Sequence, residues 1–304
     1  MERLIYGTAA YKIFKGDADG DRLSHAYMLY FQDEKFLRDA LKLFALKFFG
    51  AGAGSREERL IKSESLPDLK IYPAVGAKLT AEAAGNIVDD AALQPAEFSK
   101  KLFIISDFQT ASPIFQNKLL KILEEPPEGV YFLLGTASLS PVLDTVRSRV
   151  KTLEIPPFTP AQIYSALERI KCDPLNGRAA QSCGGVLGAA CNMLDGGWYK
   201  EVVGAAEEIC AAGTVGKAAL AALRYGDFQY KRELLCEMQR CYFARIRECA
   251  ADPESGGALS AGAAIYAVQR IDGALADLRF NANFSSLLYD LLLSVAKRNR
   301  TVEG

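Results

Sequence analysis

Between Lys101 and Glu154 the apolar and polar positions fall into blocks that read as strand, helix, strand. Leu102 to Ile105 is a continuous apolar run, closed by Ser106 and Asp107. After a short polar stretch, Phe115, Leu119 and Ile122 recur at helical spacing, with Lys118 and Lys121 on another side. Pro126 and Pro127 end that helix, because proline has no N–H to donate and its ring clashes with the preceding turn. Val130 to Leu134 is a second apolar run. Two buried strands around one helix predict a crossover unit in a parallel sheet.

The flanks extend the pattern. Tyr6, Ala10 and Ile13 fit one amphipathic turn, which the run GDADGD from Gly16 to Asp21 is expected to break. Leu23 to Phe31 reads as the first core strand, followed by a helix that buries Leu37, Leu41, Phe44 and Phe48. Leu66 to Pro73 is a short strand, and Thr80 an N-cap for a helix with Ala84, Ile87, Val88 and Ala91 on its inner face. Lys151 to Ile155 is a further strand. Pro156, Pro157 and Pro160 mark a boundary, and Thr159 opens a helix with Ile163, Leu167 and Ile170 along one side. From Trp198 onward the chain reads as all helix. One stripe is Leu235, Met238, Tyr242, Ile246 and Cys249; another is Leu287, Leu288, Leu291, Leu292 and Val295. A loop, ADPESGGALSAG, separates them.

Composition narrows the function classes. With 304 residues the chain can hold two or three domains. A net charge of −1 and the lack of a basic strip leave most phosphate contacts to partners if the chain works near DNA. No apolar run reaches membrane-spanning length and the first residues lack a signal-peptide core, so a cytoplasmic protein without a membrane partner is expected. All seven cysteines lie in the second half with no C-x-x-C, so they are expected to be buried free thiols in helices rather than disulfides or zinc ligands. GDADGD lacks the spacing and closing Glu of a calcium loop. His25, the only histidine, has no nucleophile near it in sequence and is expected to be structural.

The segments NKLLKILEEPP, VYFLLGT and RSRV, in that order, resemble the sensor region of bacterial clamp-loader subunits of the AAA+ family. The likeness runs from about Leu23 to Phe158 and thins beyond it. It implies an α/β AAA+ domain with a parallel sheet flanked by helices over residues 1–157, a small helical lid over 158–197 and an all-α collar over 198–304. Many such subunits carry a four-cysteine zinc module early on; the corresponding stretch, Gly50 to Pro67, has no cysteine.

Three departures bear on mechanism. An ATP-binding member would follow the first strand with G-x-x-x-x-G-K-[ST], whose backbone N–H groups wrap the phosphates. This chain reads QDEKFLRDALKLFA, with no glycine between Gly20 and Gly50 and with Asp33 and Glu34 where phosphate would sit. ATP-hydrolysing relatives carry an Asp-Glu pair where this chain has Asp107 and Phe108. They also carry an arginine in the lid where this chain has Gly188. Thr136 stands at what resembles the first sensor position and, without nucleotide, is expected to cap a strand end. No cofactor and no metal are expected.

RSRV resembles the family's S-R-C motif, with Val150 in place of the cysteine. The resemblance assigns Arg149 the part of an arginine finger supplied in trans to a neighbour's ATP, with Ser148 positioning it. It implies a subunit without catalysis of its own, working inside a DNA-directed DNA polymerase holoenzyme. Its partners would be motor ATPase subunits and a delta-like subunit, with the sliding clamp and primed DNA reached through the complex. Two other readings stay open: an active motor ATPase of the same family, and a stand-alone adaptor that kept the fold.

Overall fold

The computed structural model describes residues 1–252 and 259–300. The chain forms two compact units, residues 1–192 and the helices from Met193 onward.

The first unit opens with α1 (Glu2–Gly7) and α2 (Ala9–Asp19). Then come β1 (Ala26–Phe31), α3 (Glu34–Phe48), α4 (Arg56–Lys62), β2 (Leu69–Tyr72), α5 (Ala81–Ala91) and β3 (Lys101–Ile105). A 3-10 turn (Phe108–Thr110) leads to α6 (Pro113–Glu124), β4 (Val130–Thr136), α7 (Asp144–Arg147) and β5 (Lys151–Ile155). The helices α8 (Pro160–Ile170), α9 (Asn176–Ser182) and α10 (Leu187–Leu194) follow. The strands form one five-stranded sheet in the order β2-β3-β4-β1-β5. Every pairing is parallel, with Ala26 opposite Phe132 and Leu29 opposite Leu153. Parallel strands must be covered on both faces, which is why β1, β3 and β4 read as apolar runs and are almost wholly buried.

Helix α3 buries Leu37, Leu41, Phe44 and Phe48, as its spacing predicts. Each such side chain contributes roughly 1.5–3 kcal/mol of transfer free energy. Thr80 caps α5 through a bond from the Ala83 N–H, and Ser112 caps α6 in the same way. Thr159 and Gln162 form a reciprocal capping box at the start of α8.

Several elements differ from the sequence-based expectation. GDADGD does not break the first helical pattern: α2 runs through Gly16 to Asp19. Its inner face is Ala10 and Phe14, while Tyr6 and Ile13 are exposed. Phe14 packs edge-on against Tyr27 and Phe44, with ring centroids 5.0 and 5.1 Å away. The Asp17 carboxylate accepts from the Tyr27 hydroxyl at 2.7 Å and from Lys151 Nζ at 2.5 Å. These contacts outweigh the ~1 kcal/mol cost of a mid-helix glycine. Val88 and Ile170 lie outside their helices' buried faces. The first core strand starts at Ala26 rather than Leu23, since Ser24 is occupied with Tyr27 Oη and the Ala26 carbonyl.

In the second unit α11 (Trp198–Cys210), α12 (Val215–Tyr225), α13 (Lys231–Ala251), α14 (Ala261–Leu278) and α15 (Phe284–Arg300) pack around one core. Leu235, Met238 and Tyr242 are buried, as are Leu288, Leu291, Leu292 and Val295. Ile246, Cys249 and Leu287 are half-buried at the edges of those stripes. The alanine face of α14, with Ile271, completes the core. Of the expected loop ADPESGGALSAG, residues 253–258 lie outside the described residues. All seven cysteines are free; Cys183 and Cys191 are buried, whereas Cys172 is exposed and outside any helix. Among the described residues no helix is long and apolar enough to cross a membrane.

Candidate functional site

The β1–α3 corner is where a phosphate loop would lie. Only Gln32 and Asp33 separate the strand from the helix. Neither of the two is a glycine, so the connection has no residue suited to a left-handed turn. Asp33 is 1% exposed and caps α3, accepting from the Phe36 N–H at 3.3 Å. Its other oxygen accepts from the Gly188 N–H at 2.7 Å. Gly188 stands in the first turn of α10, where N–H groups have no partner within the helix. One carboxylate therefore serves the N-termini of two helices, the environment in which phosphate is held elsewhere. Burial pushes the Asp33 carboxyl above its ordinary range, and the N–H groups of Gly188, Phe36 and Lys35 oppose that rise.

Gly188 has no room for a side chain. A Cβ there would overlap Asp33 Oδ1 and come within 2.7 Å of Lys35 Cβ. The position at which the sequence resemblance implies an arginine in ATP-hydrolysing members is thus closed by the same carboxylate. Lys35, in the first turn of α3, points its Nζ at Asn192 Oδ1, 2.9 Å away.

At the ends of β3 and β4 the polar groups are consumed locally. Asp107 takes a left-handed backbone conformation, φ 54°, and its carboxylate accepts from Ser106 Oγ at 3.0 Å. Phe108, in place of a second carboxylate, is fully buried beside Phe115. Thr136 is buried; its hydroxyl donates to the Ser138 carbonyl at 2.6 Å and accepts from the Ser138 N–H. That is the strand-end cap expected of it. His25 spends its Nε2 on the Leu123 carbonyl at 2.9 Å, a structural tie between the start of β1 and α6. Among the described residues no cluster of His, Cys, Asp and Glu could hold a metal ion.

The Arg147-Ser148-Arg149 corner closes α7 and leads into β5. Val150, which stands where the resemblance places the motif's cysteine, is buried in the core beside the sheet. Arg147 is exposed and pairs with Asp144 one turn back. Arg149 keeps 30% of its side chain exposed. Its Nε donates to Glu124 Oε1 at 2.7 Å and its Nη2 reaches the same oxygen. Nη1 donates to the Thr145 carbonyl at 2.7 Å and to Ser148 Oγ at 3.3 Å. Ser148 in turn donates to the Thr145 carbonyl. The two residues singled out from the sequence are in contact.

Two further residues of this corner were given no role from the sequence, although Glu124 lies within the segment NKLLKILEEPP. Glu124, the last residue of α6, is Arg149's carboxylate partner. Gln116 is fully buried, donating to the Ala111 and Pro141 carbonyls and accepting from the Leu143 N–H. It pins the connection between β4 and α7. The only signal for Gln116 was a polar residue beside the apolar Phe115, one turn before Leu119 and Leu120.

An all-parallel five-stranded sheet in this strand order, covered by helices, with α10 bonded to Asp33 just after β1 and a helical unit following in the chain, is the α/β architecture that the sequence resemblance implies. In this one, the corner after β1 holds the chain's own Asp33 carboxylate. The family model described as "DNA polymerase III, delta subunit" matches residues 7–159, and the chain belongs to that family. It is 31% identical over 162 residues to DNA polymerase III subunit delta' of Bacillus subtilis (strain 168), a match spanning 51% of this chain and 49% of that protein. To DNA polymerase III subunit tau of Escherichia coli (strain K12) it is 34% identical over 89 residues, 29% of this chain and 14% of that one. Among solved structures, a DNA polymerase III gamma subunit-related protein from Thermotoga maritima aligns over 94% of this chain and 99% of its own, at 16% identity and a TM-score of 0.46. The chain thus matches about half the length of the B. subtilis relative.

Proposed function

We propose that this chain is a subunit of the replicative clamp loader of the delta-prime kind, which neither binds nor hydrolyses ATP and lends Arg149 to the ATP of a neighbouring motor subunit. Residues 1–157 act as the AAA+ module, 158–197 as its lid and 198–304 as the collar through which subunits join. Its partners are the motor ATPases and a delta-like subunit in the cytoplasm; the sliding clamp and primed DNA are met through the complex. The observation that carries this reading is the Asp33 carboxylate bonded to the Gly188 N–H, which occupies the corner that nucleotide would need.

The surface arginine supports the second half of the proposal. Arg149 follows a short helical turn, is partly exposed, and has Ser148 against its guanidinium. A guanidinium delivered to a γ-phosphate stabilises transition-state charge and accelerates hydrolysis about 10³–10⁵-fold at that site. Reconstitution with the motor subunits tests it. Arg149→Ala is expected to cut DNA-stimulated hydrolysis substantially with the assembly intact by gel filtration; unchanged turnover sinks the finger assignment. Saturable ATP binding by the isolated chain would favour the motor reading instead.

A further inference from the structure

Arg149 is not free to meet a phosphate in this arrangement. Of its five N–H donors, Nε and one on Nη2 go to Glu124, and the two on Nη1 go to the Thr145 carbonyl and Ser148 Oγ. A guanidinium binds phosphate best through two parallel donors along one edge. Each edge that includes Nε or Nη1 is already spent inside the chain. The longest of these bonds, to Ser148 at 3.3 Å, is the easiest to give up. The strongest is the charged pair with Glu124.

Helix stability does not account for an acid at residue 124. It is the last residue of α6, where the helix dipole disfavours a carboxylate. Its side chain is 47% exposed, and it reaches Arg149, 25 residues further along the chain. The carboxylate lies where a competing anion for that arginine would lie.

Resting on the finger reading above, we infer that Glu124 is a built-in competitor for Arg149: it holds the guanidinium in a withdrawn position until a neighbour's triphosphate displaces it. Glu124 is a positioning residue, acting through Arg149. The exchange is one of anions around a fixed cation. The carboxylate releases Nε and Nη2, the γ-phosphate oxygens take them, and no covalent bond changes. Because the carboxylate is partly exposed, water and counterions solvate it when it lets go, so the exchange is reversible. The pair thereby sets a threshold: weakly seated nucleotide does not draw the finger out, and well-seated nucleotide does.

The test uses the full chain reconstituted with its motor subunits, comparing wild type, Glu124→Gln, Glu124→Ala, Arg149→Ala and Arg149→Ala/Glu124→Gln. Steady-state ATP hydrolysis is measured with and without primed DNA and clamp, and kcat is separated from KM. Glu124→Gln keeps the shape and removes the charge. It is expected to raise hydrolysis without DNA several-fold and lower the KM for ATP, leaving the DNA-stimulated kcat within about twofold. Glu124→Ala should do the same, and neither change should matter once Arg149 is alanine. A fall in kcat for Glu124→Gln, or an unchanged DNA-independent rate, overturns the competitor role. So does an effect of Glu124→Gln that persists in the Arg149→Ala background. If Arg149→Ala itself leaves turnover unchanged, it is the finger reading that fails. If Arg149→Ala lowers turnover and Glu124→Gln does not raise the DNA-independent rate, this inference alone fails.

Discussion

The Asp33 carboxylate accepts the Gly188 N–H at 2.7 Å across 155 positions of chain. It joins the end of the first strand to a helix beyond the last one.

Gly188 is the tightest point of that corner. Any side chain at residue 188 overlaps Asp33 and Lys35, so Gly188→Ala should lose about 1–3 kcal/mol of stability by overpacking. Urea unfolding followed by circular dichroism measures it. Gly188→Arg should lose at least as much and gain no ATP binding, since the two-residue connection after β1 still offers no backbone cradle. A neutral effect of the alanine change would mean the corner is looser than its distances.

Two carboxylates near α3 titrate in opposite senses. Asp33 is raised above its ordinary value of 3.8, chiefly by burial. A raised acid holds its proton more tightly in the folded state. Its stabilising share is therefore complete below the unfolded value and is lost as pH rises through the folded one. Glu64 is held down to about 2, first by Arg38 and then by Lys42, against the opposing effect of burial. Its share is present above its ordinary 4.5 and disappears as pH falls through about 2. Glu64→Gln should cost roughly 1–3 kcal/mol at neutral pH and flatten the acid limb of the stability profile. Asp33→Asn should instead remove the loss seen as pH climbs above the ordinary carboxylate range. Denaturation midpoints across pH separate the two.

Gln116 satisfies three backbone groups in the loops on either side of α6 and β4. Gln116→Leu fills the space and leaves two carbonyls and one N–H unpaired, at roughly 1–3 kcal/mol for each group that water cannot reach. The variant should be markedly destabilised. Amide exchange should quicken at Leu143 and through Asp144–Arg147 before it does in the sheet.

Ser148 touches Arg149 through a single 3.3 Å bond. Because that bond belongs to the withdrawn arrangement, Ser148→Ala in the reconstituted complex should leave DNA-stimulated hydrolysis within about fivefold of wild type, the worth of roughly one such bond. That is a smaller change than Arg149→Ala produces. Equal falls would mean that the serine shapes the whole turn.

Much of the first unit was legible because its strands are buried on both faces, and a continuous apolar run such as Leu102–Ile105 suits no solvent-facing element. The tight passage from β1 into α3 was legible too, since the stretch between Gly20 and Gly50 has no glycine to make a longer left-handed turn. What the sequence hid was decided by distant partners. Gly16 sits inside a helix because Asp17, its neighbour, is tied to Tyr27 and Lys151. Tyr6, Ile13, Val88 and Ile170 fit a helical period yet face outward, because the faces with Phe14, Ile87 and Leu167 are the ones that found the core. The bonds from Asp33 to Gly188 and from Glu124 to Arg149 pair residues whose meeting no local pattern announces.

An occupant that belongs to the polypeptide has no dissociation rate and needs no reloading. The Asp33 carboxylate takes up the Gly188 N–H as the chain folds, and no outside molecule is needed to hold the two helix starts together. On the reading proposed above, changes in ATP concentration reach this chain only from outside, through the motor subunit beside Arg149.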